Sequence, residues 1–273
     1  MLMQLFNILS LPSIALRHHD LVRQMVLRNI ELRYRGSVLG LLWSFVQPLM
    51  MLVVYTFVFS VVFQARWGVA EQESNGSFAV IMFCGMVLYN LFSESVINSS
   101  TVIVANQNLV KKVIFPLEIL PITCVCTTYI LGLAWFILLF LGTWFILGFV
   151  GWTMLLLPLV MLPVVVFTTG ISFFVSALGV FIRDTQYVVG VVLQMLFFAT
   201  PIFYPISAVP TELRWVLTWN PLTVFIEQTR NVFLYGKMPN WCFLGVATVV
   251  AVAVFQLGYF FFARTKRGFS DVL

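Results

Sequence analysis

Few residues in this chain can do acid–base or metal chemistry, and they are scattered. The two histidines, His18 and His19, are adjacent near the N-terminus and read as solvated neighbours rather than ligands. Of the four cysteines, Cys124 and Cys126 are two apart, on different faces of any helix, which breaks the usual metal spacing. Cys84, Cys124, Cys126 and Cys242 all lie in or beside apolar runs and read as buried small hydrophobes. One carboxylate, Glu94 in LFSES, interrupts a long apolar stretch. Such a group faces a bundle interior, a cavity or a partner; the blander reading, favoured here, is a carboxylate near the interface bonded to Ser93, Ser95 or Asn98. No GxxxxGK[ST] phosphate loop occurs: Gly236-Lys237 is followed by Met238, and Asn231 stands where the first glycine is needed. The residues thus predict no catalytic site, no metal and no cofactor bound by this chain. Any uphill work would draw its energy from another polypeptide.

The elements that position these residues follow from composition. Of 273 residues, 61% are hydrophobic and 9% charged, with mean hydropathy +1.02. Soluble domains carry about 25% charged residues, so this chain cannot cover a water-facing surface and reads as an all-α, multi-span membrane protein. The net charge of +5 does not point to nucleic acid, because the basic residues sit in short segments between apolar runs.

Residues 1–35 predict a cytoplasmic arm with an amphipathic helix in the interface. Arg17, Asp20, Gln24, Arg28, Glu31 and Arg35 share one face at 100° per residue, although His18, His19 and Arg33 spoil the apolar side. A plain basic anchor is the alternative. From Gly36 to Ala65 the chain has no Asp, Glu, Lys, Arg or His, and a bilayer core needs about 20 apolar residues in a helix. Spans are expected at about 36–63, 78–104, 120–147, 153–181, 187–204 and 241–263 within a transmembrane domain 36–264. Gly36 and Gly40 form a GxxxG pair that would let a second helix approach. Between the fifth and sixth spans, Pro205 to Trp241 is too charged to cross and too apolar for a solvated loop. Pro210 and Pro221 suit the first turns of two short re-entrant or interfacial helices, with Gly236 ending the second. Of the 15 Lys and Arg, 11 fall on the side of the N-terminus, counting a tail at 265–273, and 4 on the other. That asymmetry places both termini in the cytoplasm.

Five segments, RNIELRYRGSVLGLLWSFVQPL, NLVKKVIFPLEILP, ALGVFIRDTQYVV, TPIFYP and NPLTVFIEQTRNVFLYG, resemble in this order the polysaccharide-exporting branch of the type-2 ABC transporter permeases. The likeness covers nearly the whole chain and is greatest to the O-antigen (lipopolysaccharide) export permeases of Gram-negative inner membranes. Capsule and teichoic-acid exporters share most of these motifs, and a type-2 drug or lipid exporter would lack the RYRGSVLG pattern. The resemblance implies a homodimer working with two copies of a separate ATPase chain that holds ATP and Mg. It implies a substrate glycan linked to undecaprenyl pyrophosphate, in the bacterial inner (cytoplasmic) membrane.

On that resemblance Asn108, Leu109, Lys111, Lys112, Val113, Ile114, Phe115 and Pro116 form a coupling segment that docks the ATPase, the lysines offering charge and the apolar residues filling a groove. A simple basic loop is the alternative. Arg28, Arg33 and Arg35 stand at the entrance to the first span, where guanidinium suits pyrophosphate; membrane anchoring or ATPase contact are equal alternatives. Trp43, Tyr55, Phe59, Tyr89, Phe197, Phe198 and Tyr204 are candidate tunnel aromatics, able to stack on sugar CH faces. The tyrosines and the tryptophan are the better candidates, since their polar atoms need water or a partner.

Overall fold

The structure, a computed structural model, describes residues 18–63, 67, 75–111, 115–148 and 150–273. Among these, every regular element is helical. Helix α1 is His19–Tyr34; α2, Trp43–Tyr55, follows a 3₁₀ turn at Gly40–Leu42 and continues as a π-helix to Val62. Then come α3 (Asn75–Ala105), the short α4 (Gln107–Val110) and α5 (Ile119–Gly142), extended by a π-helix to Leu147. Next are α6 (Leu157–Phe181), preceded by a 3₁₀ turn from Trp152, and α7 (Thr185–Ala199). Two helices, α8 (Arg214–Trp219) and α9 (Pro221–Phe233), lead to α10 (Trp241–Thr265) and a C-terminal turn, α11 (Phe269–Val272).

Among the described residues five helices are long and apolar enough to cross a membrane: Gly40–Val62, Gly76–Ala105, Ile119–Leu147, Trp152–Phe181 and Trp241–Val272. They lie close to five of the expected spans because charge-free runs in helical geometry leave few choices of end point. The expected span at 187–204 is different. Its helix α7 has 15 residues, about 22 Å at 1.5 Å per residue, and the chain leaves it at Thr200 in extended conformation.

Helix α3 is the hub. Between Phe78 and Phe92 nearly every side chain is buried, and α5, α6, α7 and α9 all pack on it. Without water to exclude, contact between membrane helices depends on close packing and interhelical hydrogen bonds. Both occur here. A methyl at Gly170 of α6 would sit 2.5 Å from Phe255 Cα of α10, and one at Gly258 would sit 2.0 Å from the Gly170 carbonyl oxygen. A methyl at Gly179 would sit 2.0 Å from Ser100 O of α3. Tyr129 Oη and Thr168 Oγ1, 3.0 Å apart, join α5 to α6.

The Gly36–Gly40 pair does something else than expected. Gly36 precedes the first long helix and Gly40 is its first residue; both have positive φ, +79° and +51°, and a Cβ at either would meet nothing within 4 Å. They turn the chain between α1 and α2 rather than seat a second helix. The first long helix accordingly starts at Gly40, not at residue 36. The cysteine expectation is corrected at one position: Cys84 and Cys124 are buried and Cys126 half-buried, but Cys242 at the start of α10 is exposed.

Candidate functional site

A polar cleft of about 350 Å³ lies between α1, α3 and α5. Three residues at helical spacing, Met25, Asn29 and Arg33, turn one stripe of α1 inward; Met25 is buried, and Asn29 and Arg33 line the cleft. Asp20, Gln24, Arg28, Glu31 and Arg35 stay exposed on the opposite face, as the helical projection predicts. From α3 come Glu94, Asn98 and Thr101, and from α5 Cys124, Thr127 and Thr128. At the centre the Arg33 guanidinium bonds the Glu94 carboxylate. This overturns the expected partners of Glu94, since Ser93 donates to Asn90 O and Ser95 to Leu91 O. Both side chains of the pair are about one-third exposed, so it contributes roughly 0.2–1 kcal/mol and exchanges partners easily.

The three arginines are therefore not equivalent. Arg33 already faces a carboxylate, while Arg28 and Arg35 are exposed.

The aromatic candidates converge, with one exception. Phe203 gathers Tyr55 (ring centroids 5.5 Å), Phe59 (4.5 Å, stacked), Phe197 (5.0 Å) and Phe198 (6.0 Å). Tyr89 joins through Phe197 at 5.0 Å and donates its hydroxyl to the Leu193 carbonyl. Tyr204 donates to Phe198 O at 3.0 Å. Trp43 stands apart, exposed at the start of α2. The cluster grades from buried Tyr89 to Phe198, 57% exposed. Phe203, its centre, was not among the sequence candidates.

At the end of the bundle where α1 lies, one apolar cluster ties α1 to α3, α5, α6, α10 and α11. Met25, Ile103, Leu120, Val180, Phe262 and Phe269 form its core, with Leu109, Val110 and Phe115 packed on it. Lys266 bonds the buried Glu118 across the same end. The candidate docking segment is thus moored by Leu109 and Phe115, with Asn108 and Lys111 exposed and Pro116 half-buried. Lys112, Val113 and Ile114 lie outside the described residues.

Between the expected fifth and sixth spans, Arg230 is fully buried on α9. Its Nε donates to Ile81 O (3.3 Å), Nη1 to Pro201 O (2.9 Å) and Glu227 Oε1 (2.8 Å), and Nη2 to Ile202 O (3.1 Å). The guanidinium also lies 4.4 Å from the Trp67 ring centroid, a cation–π distance. Helix α9 starts as expected, with Pro221 in its first turn and Asn220 capping Leu222 N at 3.0 Å, and the chain leaves it through Gly236 at φ +62°.

Among the described residues no group of three His, Cys, Asp or Glu side chains stands ready for a metal ion. The site can bind, stack and exchange ionic partners.

Known proteins resemble this chain along most of its length. It is 28% identical to the "O-antigen export system permease protein RfbA" of Klebsiella pneumoniae over 262 residues, 93% of this chain and 95% of the relative. The protein of that name from Myxococcus xanthus is 29% identical over 93% and 96%. The "Polysialic acid transport protein KpsM" of Escherichia coli is 24% identical over 87% of this chain and 90% of its own. A profile of the ABC-2 type transporter family matches residues 20–234. With its long apolar helices and a family profile spanning most of its length, the chain is an integral membrane protein and belongs to the ABC-2 type transporter family.

Proposed function

We propose that this chain is the permease subunit of an ATP-driven exporter that moves a lipid-linked polysaccharide, of the O-antigen kind, across the bacterial inner membrane. The observation that carries this reading is the near end-to-end similarity to permeases named for O-antigen export. A capsule polymer is the second reading, supported by the likeness to the polysialic acid transport protein.

In this reading residues 1–35 form the cytoplasmic arm, 36–264 a six-span bundle and 265–273 the tail. Helix α7 and the bent Thr200–Tyr204 segment make the fifth crossing. The shared cluster of α1, the α3–α5 connection and the C-terminal turn supports both termini lying on one side, and the Lys and Arg count names that side cytoplasmic. The chain works as a homodimer with two ATPase subunits, which bind ATP and Mg. Residues 108–116 dock the ATPase. Arg28 and Arg35, with Arg33 once released from Glu94, meet the pyrophosphate of the carrier lipid. The aromatic cluster around Phe203 offers stacking faces to the sugar chain.

Deleting the chain in its native host is expected to abolish surface polysaccharide and to accumulate lipid-linked glycan inside; complementation restores export. Unchanged surface glycan in the deletion strain would refute the proposal, and loss of capsule with O-antigen retained would select the second reading.

A further inference from the structure

The cleft between α1, α3 and α5 carries one cation and one anion side by side, Arg33 and Glu94. Around them lie further hydrogen-bonding groups. The amides of half-buried Asn29 and exposed Asn98 line the cleft, as does Thr128, only 2% exposed. Amide and hydroxyl groups can each donate to or accept from a polar ligand that enters the cleft.

Three features define that ligand. The space, about 350 Å³, suits a small polar group rather than a polymer segment. The charges cancel, so a purely anionic phosphate that meets Arg33 is opposed by Glu94, and a lone cation by Arg33. A molecule bearing both signs satisfies both, exchanging one ion pair for two. The amides and the hydroxyl then serve its remaining oxygens.

Position narrows the source. Helix α3 has 31 residues, about 46 Å, some 16 Å longer than a bilayer core. Counted from Phe78, a 30 Å core ends near Asn98, so Glu94 sits about one turn inside that edge. Helix α1, with one face polar and exposed, lies where head groups lie. We propose that this cleft binds the zwitterionic head group of an aminophospholipid, phosphate on Arg33 and primary ammonium on Glu94. The inference goes beyond polysaccharide export and needs only the membrane setting. An N–H-bearing ammonium can donate hydrogen bonds to Glu94; the quaternary group of phosphatidylcholine cannot.

The test is native mass spectrometry of the full chain, extracted with its accompanying subunits and equilibrated with vesicles of equal phosphatidylethanolamine, phosphatidylcholine and phosphatidylglycerol. Wild type is expected to retain phosphatidylethanolamine about fivefold over each of the others. Glu94→Gln is expected to bring it down to the phosphatidylcholine level, and Arg33→Gln to weaken retention of all three. The folded species is resolved by its charge state, so reduced yield of a variant does not obscure the ratio. Equal retention of the three lipids by wild type, or an unchanged preference in Glu94→Gln, overturns the proposal. So does a cleft that takes a neutral oligosaccharide and no lipid.

Discussion

Arg230 Nη1 and Glu227 Oε1 lie 2.8 Å apart on one turn of α9, yet only the carboxylate reaches the surface: the arginine side chain is 0% exposed and the glutamate 30%. The same guanidinium holds the carbonyls of Ile81, Pro201 and Ile202. It thereby fastens α9 to the start of α3 and to the chain that leaves α7. Replacing Arg230 by Leu leaves the Pro201 and Ile202 carbonyls without this donor and is expected to cost about 1–3 kcal/mol, measured as a fall in melting temperature in detergent. Arg230→Lys keeps the charge but not the fork, and is expected to fall between.

The contact of α6 with α10 is expected to be as intolerant. Gly170→Leu or Gly258→Leu drives a side chain into backbone, so monodisperse protein should be lost on size-exclusion chromatography. Gly245→Ala, with nothing within 4 Å of its Cβ, is the matched control and should elute as wild type.

Glu118 and Lys266 are 148 positions apart in sequence and bonded in the fold. Lys266→Glu sets a second carboxylate beside buried Glu118 and is expected to lower the melting temperature. The exchange Glu118→Lys with Lys266→Glu should recover part of the loss. A thermal double-mutant cycle should return a coupling of about 0.5–3 kcal/mol.

For the docking segment, Lys111→Glu with Lys112→Glu is expected to weaken co-purification of the ATPase at least several-fold while membrane insertion is kept. Wild-type co-purification would remove these lysines from the interface.

The aromatic cluster predicts a separation of effects. Tyr89 is buried and bonded to the Leu193 carbonyl, so Tyr89→Phe should cost about 1 kcal/mol in thermal stability and little in glycan export. Tyr55 is half-buried on the same cluster, and Tyr55→Ala should reduce export with the ATPase still bound. Surface glycan, measured in both variants, decides.

The long helices were legible because their signal is local. A charge-free run bounded by Arg183, or by Glu118, has few places to end, and α3, α5, α10 and the 3₁₀ turn that opens α6 begin within three residues of expectation. Pairings across the chain were not legible: Arg33 and Glu94 are 61 positions apart, and nothing local in LFSES points to α1. The burial of Arg230 was hidden for a different reason. The charges of Pro205 to Trp241 marked it as re-entrant or interfacial helices without showing which side chains turn inward. Yet Leu222, Phe225, Ile226, Thr229 and Phe233 recur at helical spacing and are all buried, and Arg230 lies one turn after Ile226. That periodicity was the available signal for an inward-facing helix with a cation on its buried side. The Gly36–Gly40 spacing misled because a small-residue pattern carries no record of φ.

The glycine contacts bear on how the molecule can move. Where side chains interdigitate, rotamer changes let helices slide; where a carbonyl oxygen sits in the space of a missing Cβ, as Gly170 O does at Gly258 and Ser100 O at Gly179, there is no rotamer to change. Helices α3, α6 and α10 therefore behave as one chassis.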